Sequence, residues 1–409
     1  MLAALPGALA PFGRAVAGEL ALTAGRAEEA VTHLTRALEI WPAAGVRPRL
    51  GQALCAAGER EAGLVALCRA AQARPWDALA LGRAFEVGTG RDRRCDALPG
   101  SVAVCLYSYT NAARLDRTLA ALAETEWRYA PGGEAARFFV LDNGSPDATA
   151  AVLAAWTERL GAALVPVSLP VNIGAPAARN WLLALPAVAR ADFTVFLDDD
   201  ALVPPDWLGR FGAAVAAYPG AGVYGCLVRG TGAPAFVQSA DAHLWPTPRP
   251  DGTLGRGFEL LRPWLATPDW GQYGLLRPCA SVTGCCHLFS AAALRASGGF
   301  DIRFSPSQYD DLDHDLRLLE GGLAPVYTGH LHVLHDKATG AASGPGQPGY
   351  GMGFANQFKL HHKYDDATLA RMADVAFAAL ARDTAVKGRW LAQDGPSFWD
   401  GIGEDGHGR

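Results

Sequence analysis

The chain has 409 residues, of which 50% are hydrophobic and 19% are charged, so it can fold into about two or three domains and is not disordered as a whole. Its 36 basic and 41 acidic residues give a slightly acidic balance, which argues against a protein built to bind nucleic acid. Its eight cysteines show no Cys-x-x-Cys spacing, which favours buried thiols in a reducing compartment over disulfides or a zinc site.

Residues 1–90 are predicted to be helical and contain an internal repeat. Ala24-Gly25-Arg26 recurs 33 positions later as Ala57-Gly58-Glu59, and Pro42 recurs at the same interval as Pro75. A small-residue turn and a closing proline at this period resemble tetratricopeptide helix pairs, with an Ala-rich pair of hairpins of chance similarity as the alternative. Two units are fewer than the roughly three of a free-standing array, so we expect these helices to pack on the next domain or on a second copy of the chain.

The sequence pattern predicts neither a secretory signal nor a membrane span. The first basic residue is Arg14, which follows Pro6 and Pro11. The longest uncharged apolar stretch, 211–228, is interrupted by Tyr218-Pro219-Gly220 and therefore predicts a helix end, a turn and a strand. We expect a cytoplasmic protein, with peripheral contact at the inner face of the membrane as the alternative.

A polar, Gly-rich segment predicts a linker over residues 91–100, after which strands alternate with helices over residues 101–340. Apolar runs predict strands and helical spacing predicts helices at the following positions: strands 102–107, 137–141, 164–167 and 193–197, and helices 112–124 and 174–185. This alternation predicts an α/β fold with a mostly parallel sheet flanked by helices. Residues 341–409 are expected to form a C-terminal loop and helical extension.

Three polar clusters follow predicted strands in succession. They are Ser108-Tyr109-Thr110-Asn111, Asp142-Asn143-Gly144-Ser145-Pro146-Asp147 and Asp198-Asp199-Asp200. Any one of them could be an ordinary turn. Three at the carboxyl ends of strands in one sheet indicate a nucleotide site, because open α/β sheets bind nucleotides at that edge.

The triple carboxylate Asp198-Asp199-Asp200 indicates a metal ion. Three adjacent acids repel one another unless a cation compensates them, and Mg²⁺ or Mn²⁺ takes carboxylate oxygens together with substrate phosphates. A solvated acidic turn is the alternative.

A second acidic cluster lies at Asp310-Asp311-Leu312-Asp313-His314-Asp315, where leucine spacing predicts the start of a helix. One of its acids could act as a general base, although acids also suit the amino end of a helix for structural reasons. His330, His332 and His335 follow, and one of them could bind a metal, with packed or surface histidines as the alternative.

Together these motifs resemble the family 2 glycosyltransferases of the GT-A fold over residues 101–340. The resemblance is carried by six segments in the family's order: 102–119, 140–149, Asn172-x-Gly174 with Ala178-Arg179-Asn180, 198–200, Gly298-Gly299-Phe300-Asp301, and 310–317. Thr110 stands where the family usually has Asn, and Asp310 stands where it usually has Glu.

The resemblance implies a role for each matching residue. The nucleotide-sugar donor would be bound by Ser108, Tyr109, Thr110, Asp142, Arg179, Asp198 and Asp199. Asp200 and His335 would hold a divalent metal ion, Mn²⁺ or Mg²⁺. Asp311 would be the base that deprotonates the acceptor, with Asp310 as the alternative.

The resemblance therefore implies a metal-dependent hexosyltransferase (EC 2.4) that inverts the anomeric centre. We expect a UDP-sugar donor, with GDP- or dTDP-sugars as alternatives, and a glycan or protein acceptor. The N-terminal helices would contact a second subunit or a protein partner. The competing hypothesis is a tetratricopeptide-type scaffold with an inactive transferase-like domain, whereas a nucleotidyltransferase is disfavoured because its Gly-rich, basic phosphate loop is absent.

Overall fold

The structure is a computed structural model and describes residues 9–41, 45–132, 137–232, 235–250, 255–265, 267–336 and 348–397. Its helices are α1 Ala10–Thr23, α2 Ala27–Ile40, α3 Arg47–Ala56, α4 Arg60–Ala73, α5 Ala78–Thr89, α6 Ala112–Ala123, α7 Thr149–Leu160, α8 Ala175–Leu183, α9 Pro186–Arg190, α10 Trp207–Ala217, α11 Ala291–Ser297, α12 Asp310–Glu320, α13 Pro348–Lys363 and α14 Asp366–Ser397. Its strands are β1 Val102–Ser108, β2 Phe138–Asp142, β3 Leu164–Ser168, β4 Phe193–Leu197, β5 Ala201–Leu202, β6 Val223–Gly230, β7 Val237–Ser239, β8 His243–Pro246, β9 Phe258–Leu261, β10 Leu276–Pro278, β11 Cys286–Ser290 and β12 Val326–His335.

The N-terminal helices pack in pairs, α1 with α2 and α3 with α4, and the sequence repeat is also a packing repeat. A Cβ atom on Gly18 would come within 2.5 Å of the side chain of Leu34. A Cβ atom on Gly51 would likewise come within 2.7 Å of the side chain of Leu67, and both residues lie 33 positions after the first pair. The small residues thus allow the paired helices to approach closely, whereas the tetratricopeptide assignment stays a prediction.

Helix α5 joins the N-terminal helices to the sheet and to α14. The ring of Phe85 packs edge-on against Trp390 of α14, with 5.4 Å between the ring centroids. Fully buried Glu86 lies 2.9 Å from His330 of β12 and 3.5 Å from Lys387 of α14. The helical region therefore packs on the neighbouring domain, as the small number of repeats led us to expect. The predicted linker begins with a short 3-10 helix, Arg91–Arg93; the domain boundaries stay predictions.

The central sheet is mixed and has the strand order β10-β12-β6-β11-β4-β1-β2-β3, with β5 on β12 and β7 on β6. Along the main path every strand except β10 and β11 runs in the same direction, so the predicted α/β fold with a mostly parallel sheet is confirmed. Both faces of the sheet are covered, by α6, α7 and α10 on one side and by α8, α9, α11 and α12 on the other. This double burial explains why β1 and β4 are continuously apolar in sequence.

The C-terminal helices cover the acidic helix α12. The leucines of α12 pack against Leu360 of α13 and against Leu369 and Met372 of α14. Lys363 lies 2.9 Å from Asp301 and also contacts Asp313, which is fully buried. Helix α12 therefore lies between the sheet on one side and the C-terminal helices on the other.

No helix in the described part of the chain is long and apolar enough to cross a membrane.

Candidate active site

The first and third polar clusters meet at the carboxyl edge of the sheet. Strands β1 and β4 are parallel neighbours, so the residues that follow them lie side by side. Asp199 accepts hydrogen bonds from the hydroxyl of Ser108 at 2.5 Å and from the side-chain amide of Asn111 at 2.8 Å. Ser108 is 1% exposed, so its hydroxyl faces the protein interior and binds Asp199. The middle carboxylate of the triple acid thus joins the two loops.

The second cluster forms most of the loop framework at this edge. The carboxylate of Asp142 accepts a hydrogen bond from the backbone N–H of Ser145 at 2.9 Å. The hydroxyl of Ser145 accepts one from the N–H of Thr110 at 3.1 Å, and Thr110 has a positive φ of 56°. Asp147 accepts hydrogen bonds from the N–H groups of residues 112 and 149, which are the first residues of α6 and α7. Tyr109 remains 48% exposed at the surface of this loop.

Arg179 is the buried cation of the site. Its guanidinium forms an ion pair with Asp310 and lies 3.9 Å from Asp198. It also lies over the rings of Tyr107 and Phe300, at 5.3 and 5.1 Å from their centroids. Burial alone would lower the pKa of Arg179, but the surrounding anionic groups raise it above its usual value, so the side chain stays charged.

Asp198, Asp200 and His335 form the cluster that suits a metal ion. Nε2 of His335 lies 2.9 Å from a carboxylate oxygen of Asp200 and 3.9 Å from one of Asp198. Oε1 of Gln238 lies 2.8 Å from Nδ1 of His335, and Nε2 of Gln238 donates to the histidine carbonyl at 3.0 Å. Because Oε1 can only accept, Gln238 holds the proton on Nδ1 and leaves Nε2 facing the carboxylates. Oxygen and imidazole ligands arranged in this way fit Mn²⁺ or Mg²⁺.

Two carboxyl groups of the triple acid have raised pKa values. Burial, together with the nearby charges of Asp200 and Asp311, raises the pKa of Asp198 to about 6, against the opposing effect of His335 and Arg179. Burial also raises the pKa of Asp199 to about 7, opposed by its two hydrogen bonds. Carboxyl groups that are this costly to ionise would be stabilised by a cation.

The two adjacent acids at the start of α12 have different surroundings. Asp310 is 2% exposed and faces Arg179. Asp311 is partly exposed, and its oxygens accept hydrogen bonds from the N–H groups of Gly284 at 2.8 Å and Leu312 at 2.9 Å. Asp311 therefore faces the open side of the site, whereas the carboxylate of Asp310 is paired with the buried guanidinium of Arg179.

The three histidines of β12 also have different surroundings. His330 pairs with Glu86, and Nε2 of His332 lies 3.0 Å from the carbonyl of Gly329, so both have structural partners away from the acids. Only His335 of the three adjoins the acidic cluster.

A cavity of about 380 Å³ opens at this edge of the sheet, which is within the usual size of small-molecule sites. The predicted site residues that line it are Arg179, Asp198, Asp310, Asp311 and His335. Those that do not line it are Ser108, Tyr109, Thr110, Asp142, Asp199 and Asp200. Gln238 also lines it and was missed by the sequence reasoning, because a glutamine on a short strand outside any motif has no sequence signal.

Residues 101–271 match the model of the family described as Glycosyl transferase family 2. No curated protein matches the chain. One similar solved structure is GalNAc-T7 with UDP, GalNAc and Mn²⁺, at 13% identity and a TM-score of 0.46 over 58% of this chain; the match spans 44% of that protein, less than half of its length. Another is the mannosyltransferase PcManGT from Pyrobaculum calidifontis in complex with GDP-Man and Mn²⁺, at 18% identity and a TM-score of 0.40, covering 81% of this chain and 91% of that one.

Proposed function

We propose that this protein, which carries a glycosyl transferase family 2 domain beginning near residue 100, transfers a sugar from a nucleotide-sugar donor to a hydroxyl acceptor with the help of a divalent metal ion. One observation carries the proposal. A metal-type cluster, a buried arginine and a partly exposed aspartate at a helix amino end line or adjoin one cavity at the carboxyl edge of the sheet.

The donor side of the cavity is the wall formed by the ends of β1 and β4, where Tyr107 and Asp198 line it. Beside this wall, the exposed ring of Tyr109 can stack on a nucleotide base, and Asp142 lies in the loop after β2. Asp198 lies 3.9 Å from Arg179, whose charge would balance part of the acidic charge beside a bound diphosphate. A bound divalent cation would neutralise the negative charge that develops on the departing nucleoside diphosphate.

The acceptor side is the wall formed by the start of α12. Asp311 lies there with both oxygens held by backbone N–H groups, which fixes its orientation. A base that removes a hydroxyl proton must be ionised. Asp311 would take this proton while the acceptor oxygen attacks the sugar from the face opposite the diphosphate, so the anomeric centre inverts in one displacement.

The test measures release of nucleoside diphosphate from UDP-, GDP- and dTDP-sugars, with Mn²⁺, with Mg²⁺ and with chelator. We expect turnover with one of the donors that stops with chelator and is absent in Asp200→Ala, whose fold should survive because one of three crowded acids is removed. Nucleotide binding without turnover, for every donor and for a panel of glycan acceptors, would instead favour the scaffold hypothesis.

A further inference from the structure

We propose that the thiol of Cys285 is a further protein ligand, beside Asp198, Asp200 and His335, of the metal ion proposed above. The site would then prefer ions that accept sulfur, such as Co²⁺, Zn²⁺ and Cd²⁺, over Mg²⁺. This inference rests on the proposed function, because it concerns the same metal site. It adds a ligand from outside the two acidic clusters.

The sheet topology brings Cys285 to the acids. Strand β11 runs antiparallel to β4, so it begins at the edge where β4 ends, and Cys286 pairs with Leu197. Cys285, one residue before β11, consequently lies opposite Asp198, one residue after β4. The N–H of Asp198 donates to the carbonyl oxygen of Cys285 at 2.8 Å, which holds the two residues face to face.

The ligand atoms are close enough to share one ion. Sγ of Cys285, a carboxylate oxygen of Asp198 and a ring nitrogen of His335 all lie within 4.8 Å of one another. A zinc-like ion lies about 2.3 Å from sulfur and about 2.1 Å from nitrogen, so two of its tetrahedral ligands are about 3.6 Å apart. The three atoms therefore need to approach one another by up to about 1 Å when the ion binds.

The surroundings keep these ligands in place. Cys285 is 3% exposed and His335 is 9% exposed, and Gln238 already orients the imidazole with Nε2 toward the acids. The thiol releases its proton to solvent when the metal binds, as thiol ligands do. The adjacent Cys286 belongs to no such ligand cluster in the described residues, which makes it a matched control.

The experiment is a Co²⁺ titration of the full-length protein, followed by the near-ultraviolet charge-transfer absorption that a thiolate–cobalt bond produces. We expect one such band per chain in wild type and in Cys286→Ser, and no band in Cys285→Ser. Calorimetry with the metals alone, and again with UDP or GDP, should show the ratio of Cd²⁺ to Mg²⁺ affinity falling by about 10–100-fold in Cys285→Ser, with Mg²⁺ affinity nearly unchanged.

The outcomes separate this inference from the proposed function. Wild type that binds Mn²⁺ but shows no thiolate band, or a band that persists in Cys285→Ser, overturns the sulfur ligand and leaves the transferase proposal intact. Wild type that binds no divalent ion, with or without nucleotide, overturns both. Cadmium NMR of the wild type reports sulfur coordination directly, so the inference stays testable if the serine variant does not fold.

Discussion

The two adjacent acids at the start of α12 should separate cleanly into a structural residue and a base. Asp310→Asn removes the partner of Arg179, and both side chains are almost fully buried, at 2% and 4% exposed. Breaking a buried ion pair from one side costs about 3–5 kcal/mol, because the remaining charge is left without compensation. Asp198, 3.9 Å from the guanidinium, retains part of the attraction, so we expect a loss of about 3 kcal/mol in the free energy of unfolding.

Asp311→Asn should behave in the opposite way. The residue is partly exposed, and the amide oxygen of Asn can still accept one of the two backbone hydrogen bonds, so the free energy of unfolding should change by less than about 1 kcal/mol. Turnover should fall by about 10²–10⁴, the usual effect of losing a general base, with donor affinity within a few-fold of wild type.

Urea unfolding, calorimetric melting and sugar transfer measured on both variants test this division. For a cooperative unit of about 150–250 residues, 3 kcal/mol corresponds to a fall in Tm of about 6–12 °C. A double variant, Arg179→Met with Asp310→Asn, serves as the control, and it should be less destabilised than the sum of the single variants by about 1–3 kcal/mol. An Asp310→Asn variant that melts like wild type but cannot transfer sugar, beside an active Asp311→Asn, would refute the reasoning and move the base by one residue.

Three further predictions concern the surrounding residues. The pKa of Asp199 is raised to about 7 by burial, so the folded state binds its proton more tightly than the unfolded state and ionisation lowers stability as the pH rises from about 4 to about 7. The free energy of unfolding of Asp199→Asn, relative to that of wild type, should therefore rise by up to about 1.4 kcal/mol per pH unit in that interval. A difference in urea unfolding that does not change with pH would contradict the raised pKa of Asp199. Gln238→Leu should weaken Mn²⁺ binding by about 10–100-fold without changing Tm by more than a few degrees, because it releases the imidazole of His335; unchanged affinity in calorimetry would show that the orientation is not needed. Lys387→Met should cost about 3–5 kcal/mol in urea unfolding because it removes the ammonium group that pairs with the carboxylates of Asp383 and buried Glu86, and Glu86→Gln in the same background should recover part of that loss.

The sequence by itself determined the positions of the main strands. Strands β1 and β4 were predicted correctly because a strand buried on both faces must be apolar at every position, which leaves a continuous run. The polar clusters after them were predicted to meet because parallel neighbours end at one edge, and the hydrogen bonds of Asp199 confirm that meeting for the first and third clusters. A helix start in the second acidic cluster was also predicted, from leucine spacing, and α12 begins there at Asp310.

Only the tertiary structure decided which member of each cluster faces the cavity. Asp310 and Asp311 are indistinguishable by pattern, and the buried guanidinium of Arg179 separates them across 131 residues of chain. The choice of His335 over its two neighbours depends on the pairing of β12 with β5, which sets His335 opposite Ala201, the residue after Asp200. Cys285 reached the acids because β11 runs against β4, and strand direction is set by how the whole chain packs, since nothing in the local sequence encodes it.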